Sequence, residues 1–467
     1  MLEGSLDRVN GRTVAGWAWD TSRPAEALAV ELYEHGTGNP ILTVAADWFR
    51  IDLRKAGKGD GHHGFSVELP ASSFRPGLAV GARVAGTGFV LKDSPRTTGD
   101  DQPATLSDRA SRVSGRFCHM PFEKLALDTD GAHLCCSAYL PVVVGDPSTQ
   151  TLDEIWNSKA AIEVRRSIID GDFKYCLDRC PAIQENTLPR TSQVPSELYR
   201  PAAEARAAPL VWGPRHLAVL YDRTCNLSCP SCRTSVLSAT PKEREEFKAV
   251  LERVVRPALP SLKVLEFAGG EVLASAHLRT VLDAIDREQS PDLRVVLVTN
   301  GTLFDRKAWE RLSNVHGIVR AIYVSLDGTS KGTFEELRRG GVWEETLANV
   351  EFISDLRRRG EIEELAILFV AQARNFGEMP DFVRLGQRLG CDRILFHELV
   401  NFATYSPTEF RARSVVSPRH PLHGQLLAML LDPVFDDPRV VLSSFGTVRQ
   451  QALAERRAVP VPQAVAP

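Results

Sequence analysis

The chain has 467 residues, too many for one ordinary hydrophobic core and enough for about three folded units. Charged residues make up 25% and hydrophobic ones 43%, and the net charge of -3 supplies no basic field for nucleic acid or an anionic membrane. There is no apolar run of about 18 residues and no signal-peptide start, so the expected location is cytoplasmic. In a reducing compartment its nine cysteines are expected to be metal ligands or catalytic groups and not disulfides.

Residues 1–98 predict an all-β module. Val9-Asn10-Gly11-Arg12 places Asn-Gly between two short alternating runs, which is a hairpin signal. Further short strands are expected at Leu28 to Tyr33, His63 to Leu69 and Ala82 to Leu91, and a small β-sandwich closes such a set. The segments Ala15-Gly16-Trp17-Ala18-Trp19-Asp20, Ala46 to Arg54 and Gly59 to Phe65 resemble an accessory β-module of bacterial glycosyltransferase-type proteins. Trp17, Trp19 and Trp48 then have two readings, as sheet-face aromatics or as a sugar-stacking platform.

A polar linker is expected at residues 99–110, followed by a Cys-rich segment over 111–195 and a second linker from Gln184 to Gly213, rich in Pro, Ala and charge. From Arg215 the pattern turns to alternating β and α. Strands are expected at His216 to Tyr221, Leu262 to Phe267, Leu293 to Val298, Ala321 to Leu326, Leu365 to Val370 and Asp392 to His397. Helices are expected near Lys242 to Val255, Leu278 to Arg287, Arg306 to Leu312, Trp343 to Arg358 and Met379 to Leu389. Six such units over 214–400 imply parallel strands with right-handed crossovers, an α/β partial (β/α)6 barrel. Residues 401–467 form a C-terminal extension whose Pro/Ala tail, Arg456 to Pro467, is expected to be disordered.

Cys225-Asn226-Leu227-Ser228-Cys229-Pro230-Ser231-Cys232 follows the first strand of this region, at the rim where α/β folds place ligands. Three thiolates hold a four-iron cluster with one iron left open for another molecule, whereas electron carriers use four. A zinc site is the alternative, but zinc takes a fourth ligand and none is close in sequence. Gly269-Gly270-Glu271 ends the second expected strand, Thr299-Asn300-Gly301 the third and Ser325-Leu326-Asp327-Gly328 the fourth.

In this order the elements resemble the radical S-adenosylmethionine (radical SAM) enzymes. The resemblance implies a [4Fe–4S] cluster on Cys225, Cys229 and Cys232, with SAM held by Gly269, Gly270, Glu271, Asn300, Ser325 and Arg338. Glu271 takes the methionine ammonium, Arg338 (or Arg339) and Ser325 take the ribose and carboxylate, and one electron cleaves SAM to a 5'-deoxyadenosyl radical. An external one-electron reductant such as flavodoxin or ferredoxin is implied. The family's usual aromatic residue before the third cysteine is replaced by Ser231.

Cys118-x12-Gly131-x4-Cys136 and Cys176-x3-Cys180 resemble parts of the SPASM domain, an auxiliary-cluster module of radical SAM enzymes. Leu152 to Ser158 and Arg165 to Phe173 resemble its intervening segment. Cys118, Cys136, Cys176 and Cys180 are the implied ligands of a second [4Fe–4S] cluster, with Cys135 able to replace Cys136, and a zinc knuckle is the alternative. The module usually follows the barrel and holds two clusters; here it precedes the barrel and has cysteines for one.

His397 and Glu398 end the sixth strand at the ligand-bearing rim and are the candidate catalytic acid–base pair. Cys391 lies before that strand and reads as a small buried hydrophobe. The functional expectation is an oxidoreductase or epimerase acting on a sugar or sugar nucleotide, with the auxiliary cluster assisting electron transfer. A peptide substrate is the alternative, and a non-catalytic iron–sulfur or zinc scaffold is the reading from another class.

Overall fold

A computed structural model describes residues 1–10, 12–70, 72–75, 77–98, 111–178, 180–194, 209–402 and 404–458. The chain divides into two compact units, Met1–Pro214 and Arg215–Pro467.

In the first unit, β1 (Leu2–Asn10), β2 (Thr13–Asp20), β3 (Leu28–Glu34), β4 (Pro40–Ala46), β5 (Trp48–Phe49), β6 (His62–Glu68), β7 (Ala79–Val84) and β8 (Arg96–Thr97) form two four-stranded antiparallel sheets, ordered β1-β2-β6-β5 and β4-β3-β7-β8. Strict alternation drives this closure: in β2, Val14, Gly16 and Ala18 point inward while Trp17 and Trp19 point outward. Leu6, Val14, Val30, Leu32, Phe65 and Val80 meet between the sheets. Asn10 pairs with Thr13 as the hairpin signal requires, although Gly11 lies outside the described residues. The sequence pattern misses β4, because Pro40 opens it and its burial does not alternate cleanly. The expected strand Ala82 to Leu91 is shorter, because a turn at Val84 to Phe89 folds its second half back. Lys58 covers the faces of Trp17 and Trp19 at 5.6 and 5.3 Å, and Trp48 packs on Tyr175 at 5.3 Å, so these rings are sheet-face aromatics with partners.

The Cys-rich segment contains a small antiparallel hairpin, β9 (Lys124–Asp128) and β10 (Gly131–His133), and helices Leu152–Trp156 and Lys159–Ile169. Arg165 ties it together from inside, donating to the carbonyls of Pro121 and Trp156 while its guanidinium lies 4.2 Å from the Trp156 ring. The expected linker 99–110 lies outside the described residues. The second expected linker is partly packed: Leu188 and Leu210 are buried, and Trp212 receives a hydrogen bond from Trp156 Nε1. Its residues 195–208 lie outside the described ones.

In the second unit β11 (His216–Val219), β12 (Val264–Phe267), β13 (Arg294–Thr299), β14 (Val319–Ser325), β15 (Glu364–Ala371), β16 (Arg393–Glu398) and β17 (Val440–Val441) run parallel in sequential order. The six expected strands are the first six, and helices such as Trp343–Arg358 and Met379–Arg388 make the crossovers of a partial (β/α) barrel. β17 is an addition; two residues are too few to leave a hydrophobic pattern. The C-terminal extension forms helices Pro407–Arg413, His423–Leu430 and Ser444–Ala458. Residues 456–458, expected in a disordered tail, end the last helix, and 459–467 lie outside the described residues. No helix among the described residues is long and apolar enough to cross a membrane.

Candidate cluster and cofactor sites

The cysteine trio sits in the loop after β11. Cys225 and Leu237 pair through their main chains, closing the loop on itself. Cys229 accepts from the amides of Cys232 and Arg233, a tight turn that brings the last two thiols to one side. Cys225 and Cys229 are buried with Leu227, and Cys232 packs on them. Nitrogen donors ring the sulfurs. Arg233 Nη2 lies 3.2 Å from the Cys232 Sγ and Arg223 Nη2 at 3.9 Å, Asn300 Nδ2 is 3.8 Å from the Cys225 Sγ, and Arg338 reaches Cys229.

The tips of β12 and β13 support this loop from below. Gly269 has φ +104°, and a Cβ there would lie 2.5 Å from the Leu220 carbonyl oxygen; a Cβ on Gly270 would strike that of Thr224. Only glycine permits so close an approach. The pair is therefore required first by the main chain of the cysteine loop, to which Glu271 N also donates at 2.7 Å. The Glu271 side chain is fully buried, and its carboxylate accepts from Thr299 Oγ1, Asn300 N and Leu273 N. Burial pushes its acidity toward the protonated form, and the Asn300 and Thr299 bonds oppose that shift. Expected as a hand for an ammonium group, Glu271 here also ties the ends of β12 and β13 together. Asn300 links onward to Asn226 Oδ1 at 3.0 Å, inside the cysteine loop.

Beyond β14, Asp327 takes φ +58° and pairs with Arg338 at 2.9 Å, both side chains largely buried. Asp327 also accepts from Val370 N, which joins the tips of β14 and β15. Ser325 ends β14 on the same rim. Arg338 is the largely buried arginine of its segment and Arg339 the exposed one. His397, near the end of β16, lies within the field of Asp327, and burial lowers its basicity. Glu398 is partly buried beside it, opposite Ala371. Cys391 is buried just before β16, at the end opposite to His397, its thiol pushed up to about 12 by burial.

In the first unit Cys118, Cys135 and Cys180 are close enough for their charges to interact, and burial raises Cys118 to about 12 and Cys135 to about 11. Cys136 is exposed. Spacing from Gly131 points to Cys136, whereas Cys135 is the more buried thiol of the two and lies near Cys118 and Cys180. Cys176 lies one turn before Cys180, and Leu177 N donates to Tyr139 O, which holds the turn against the loop that follows Cys135 and Cys136.

Among the described residues no three His, Cys, Asp or Glu side chains converge as one metal ion would need. A cubic cluster asks for something else, one thiolate on each of several irons. The trio fits that group: three neighbouring sulfurs, N–H donors toward their charge, and two buried guanidinium nitrogens beside them, Arg223 Nε and Arg338 Nε, with no partner in the protein. Sequence reasoning missed Arg223 and Arg233, and it placed Thr299 at a strand end without giving it a partner. For Arg233 the signal was available, since it directly follows Cys232.

Two family models match the chain. The radical SAM superfamily matches residues 220–368, and the SPASM iron–sulfur cluster-binding domain matches residues 118–181. An AdoMet-dependent heme synthase of Methanosarcina barkeri is 30% identical over 181 residues, 38% of this chain and 48% of that protein. A probable GTP 3',8-cyclase of Halobacterium salinarum is 30% identical over 178 residues, 36% of this chain and 47% of that one. The chain thus spans about half the length of the curated relatives it matches. The crystal structure of SuiB from Streptococcus suis aligns with a TM-score of 0.38 at 16% identity, covering 64% of this chain and 65% of that one. Residues 220–368 thus carry a radical SAM domain, which implies SAM and a [4Fe–4S] cluster, and residues 118–181 a SPASM domain, which implies further iron–sulfur clusters.

Proposed function

We propose that Cys225, Cys229 and Cys232 hold the SAM-binding cluster and that Cys118, Cys135, Cys176 and Cys180 hold one auxiliary cluster. When bound, the first cluster would supply the electron that cleaves SAM to methionine and a 5'-deoxyadenosyl radical able to take hydrogen from an unactivated carbon. The protein's part is positioning. Arg223, Arg233 and Arg338 balance the charge of the thiolates, and the glycine pair lets main-chain carbonyls reach the methionine end. Glu271 meets the ammonium once Thr299 Oγ1 turns away, and Asp327 fixes Arg338 for the carboxylate. His397, held neutral by burial, accepts the proton that leaves the substrate, and Glu398 lies next to it.

The substrate we favour is a sugar nucleotide, oxidised at carbon, with the auxiliary cluster taking the second electron. The resemblance of residues 1–98 to glycosyltransferase-type modules supports it, although the covered tryptophans lend no platform. A second reading, an acidic tetrapyrrole, is favoured by the heme synthase of Methanosarcina barkeri at 30% identity. The convergence of three thiols, Glu271 and Arg338 at one strand-end rim carries the proposal. Anaerobic reconstitution followed by assay of 5'-deoxyadenosine from SAM and dithionite tests it; substantial iron with no 5'-deoxyadenosine would overturn it.

A further inference from the structure

Beside the cysteine loop is an open cavity of about 630 Å³, within the range of small-molecule sites. Its wall includes Pro230, Arg339, Gln372, Arg374, Tyr405 and Arg413. None of Glu271, Asn300, Ser325 and Arg338 lines it; of the residues considered for SAM only Arg339, the alternative to Arg338, is in its wall. Two glutamates also line it, but both are engaged. Glu336 pairs with Arg374 at 2.6 Å, and Glu335 accepts from Trp343 N and faces Lys331.

Arg339 and Arg413 therefore bring positive charge to the cavity with no carboxylate in ion-pair contact among the described residues. Arg413 is held in place, its guanidinium 4.5 Å from the centre of the Tyr405 ring and Nη1 on the Glu409 carbonyl. The Glu409 carboxylate is occupied capping Ser406 N. A second, independent feature points to a ligand: Gln372 is 2% exposed, lines the cavity, and its Nε2 has no hydrogen-bond partner. A buried donor without a partner is costly, and an acceptor bound in the cavity would relieve that cost.

The Arg339 and Arg413 guanidinium groups and the Gln372 amide, beside two glutamates that are already engaged, select an anion with several oxygen atoms. We propose that this cavity binds the phosphate or carboxylate end of the substrate, holding it next to the cysteine loop. The inference rests on the radical SAM reading of that loop and adds the substrate's chemical class. A sugar nucleotide presents phosphates, and an acidic tetrapyrrole presents carboxylates.

The test uses the full reconstituted chain with SAM bound, titrated calorimetrically with pyrophosphate and with citrate at low and high salt. Saturable binding of at least one probe is expected, weakening with salt; the tighter probe identifies phosphate or carboxylate chemistry. Arg413→Gln should weaken it roughly tenfold, as loss of one charge-assisted contact does. Arg413→Lys should recover part of the loss, and Gln372→Leu should weaken binding several-fold by the same reasoning. Absence of saturable binding, equal affinity in Arg413→Gln, or displacement of the probe by SAM would overturn the proposal. Assay of 5'-deoxyadenosine in the same samples separates the two readings: cleavage without anion binding removes only the cavity, whereas loss of cleavage in the wild type removes the radical SAM assignment.

Discussion

Arg233 shows how a single side chain can set the chemistry of the loop. Its guanidinium donates to the Cys232 sulfur, the Arg223 carbonyl and the Gly269 carbonyl, so it joins one expected ligand to the glycine pair. A donor on a thiolate favours the more negative, reduced cluster. Arg233→Gln should therefore shift the cluster's midpoint potential by about 60 mV to more negative values if about 1.4 kcal/mol is lost. An EPR-monitored titration reads this, and an unchanged potential would show the contact to be structural. Glu271→Ala should leave iron bound but reduce SAM affinity at least tenfold, as expected for about 1.5–3 kcal/mol of charge-assisted contact. Calorimetry that finds equal affinity would confine Glu271 to tying strand ends. His397 makes a signed pH prediction. Burial lowers its basicity, Asp327 opposes and Arg393 assists, so it is neutral at pH 7. Its contribution to stability is present above the ordinary imidazole value of about 6.5 and is lost as the pH falls toward the lowered value. Substrate turnover should decline as the pH falls through that lowered value while SAM cleavage without substrate does not, and His397→Gln should remove that difference.

At the scale of elements, the ends of β11, β12 and β13 form one mechanical piece. Substituting Gly270 with Ala puts a methyl group against the Thr224 carbonyl and should destabilise this piece by about 1–3 kcal/mol. Lower thermal stability of the cluster-free protein, with a weaker grip on iron, is the expected result. Much of this was legible in the sequence. The six main strands follow from short apolar runs between helical stretches, and the cysteine spacing marks the loop. What was hidden depends on contacts remote in sequence. Glycine pairs at strand ends usually make turns, and nothing local shows that Gly269 and Gly270 face the main chain at Leu220 and Thr224. Thr299 gains its role only because parallel pairing brings β13 beside β12. The difference in burial between Cys135 and Cys136 was hidden for a related reason: spacing gives position along the chain and not which thiol turns inward.

Across the whole molecule, eight of the nine cysteines fall into two groups, one in each compact unit. Loss of one cluster should therefore leave the other in place. The most direct test compares anaerobically reconstituted full-length protein with a variant in which Cys225, Cys229 and Cys232 are all changed to Ala. Iron, Mössbauer spectra and 5'-deoxyadenosine are measured on the same samples. The account predicts about four irons in a [4Fe–4S] signal remaining in the variant, about twice that in the wild type, and cleavage of SAM only in the wild type. A variant that still forms 5'-deoxyadenosine, or that binds as much iron as the wild type, would contradict it.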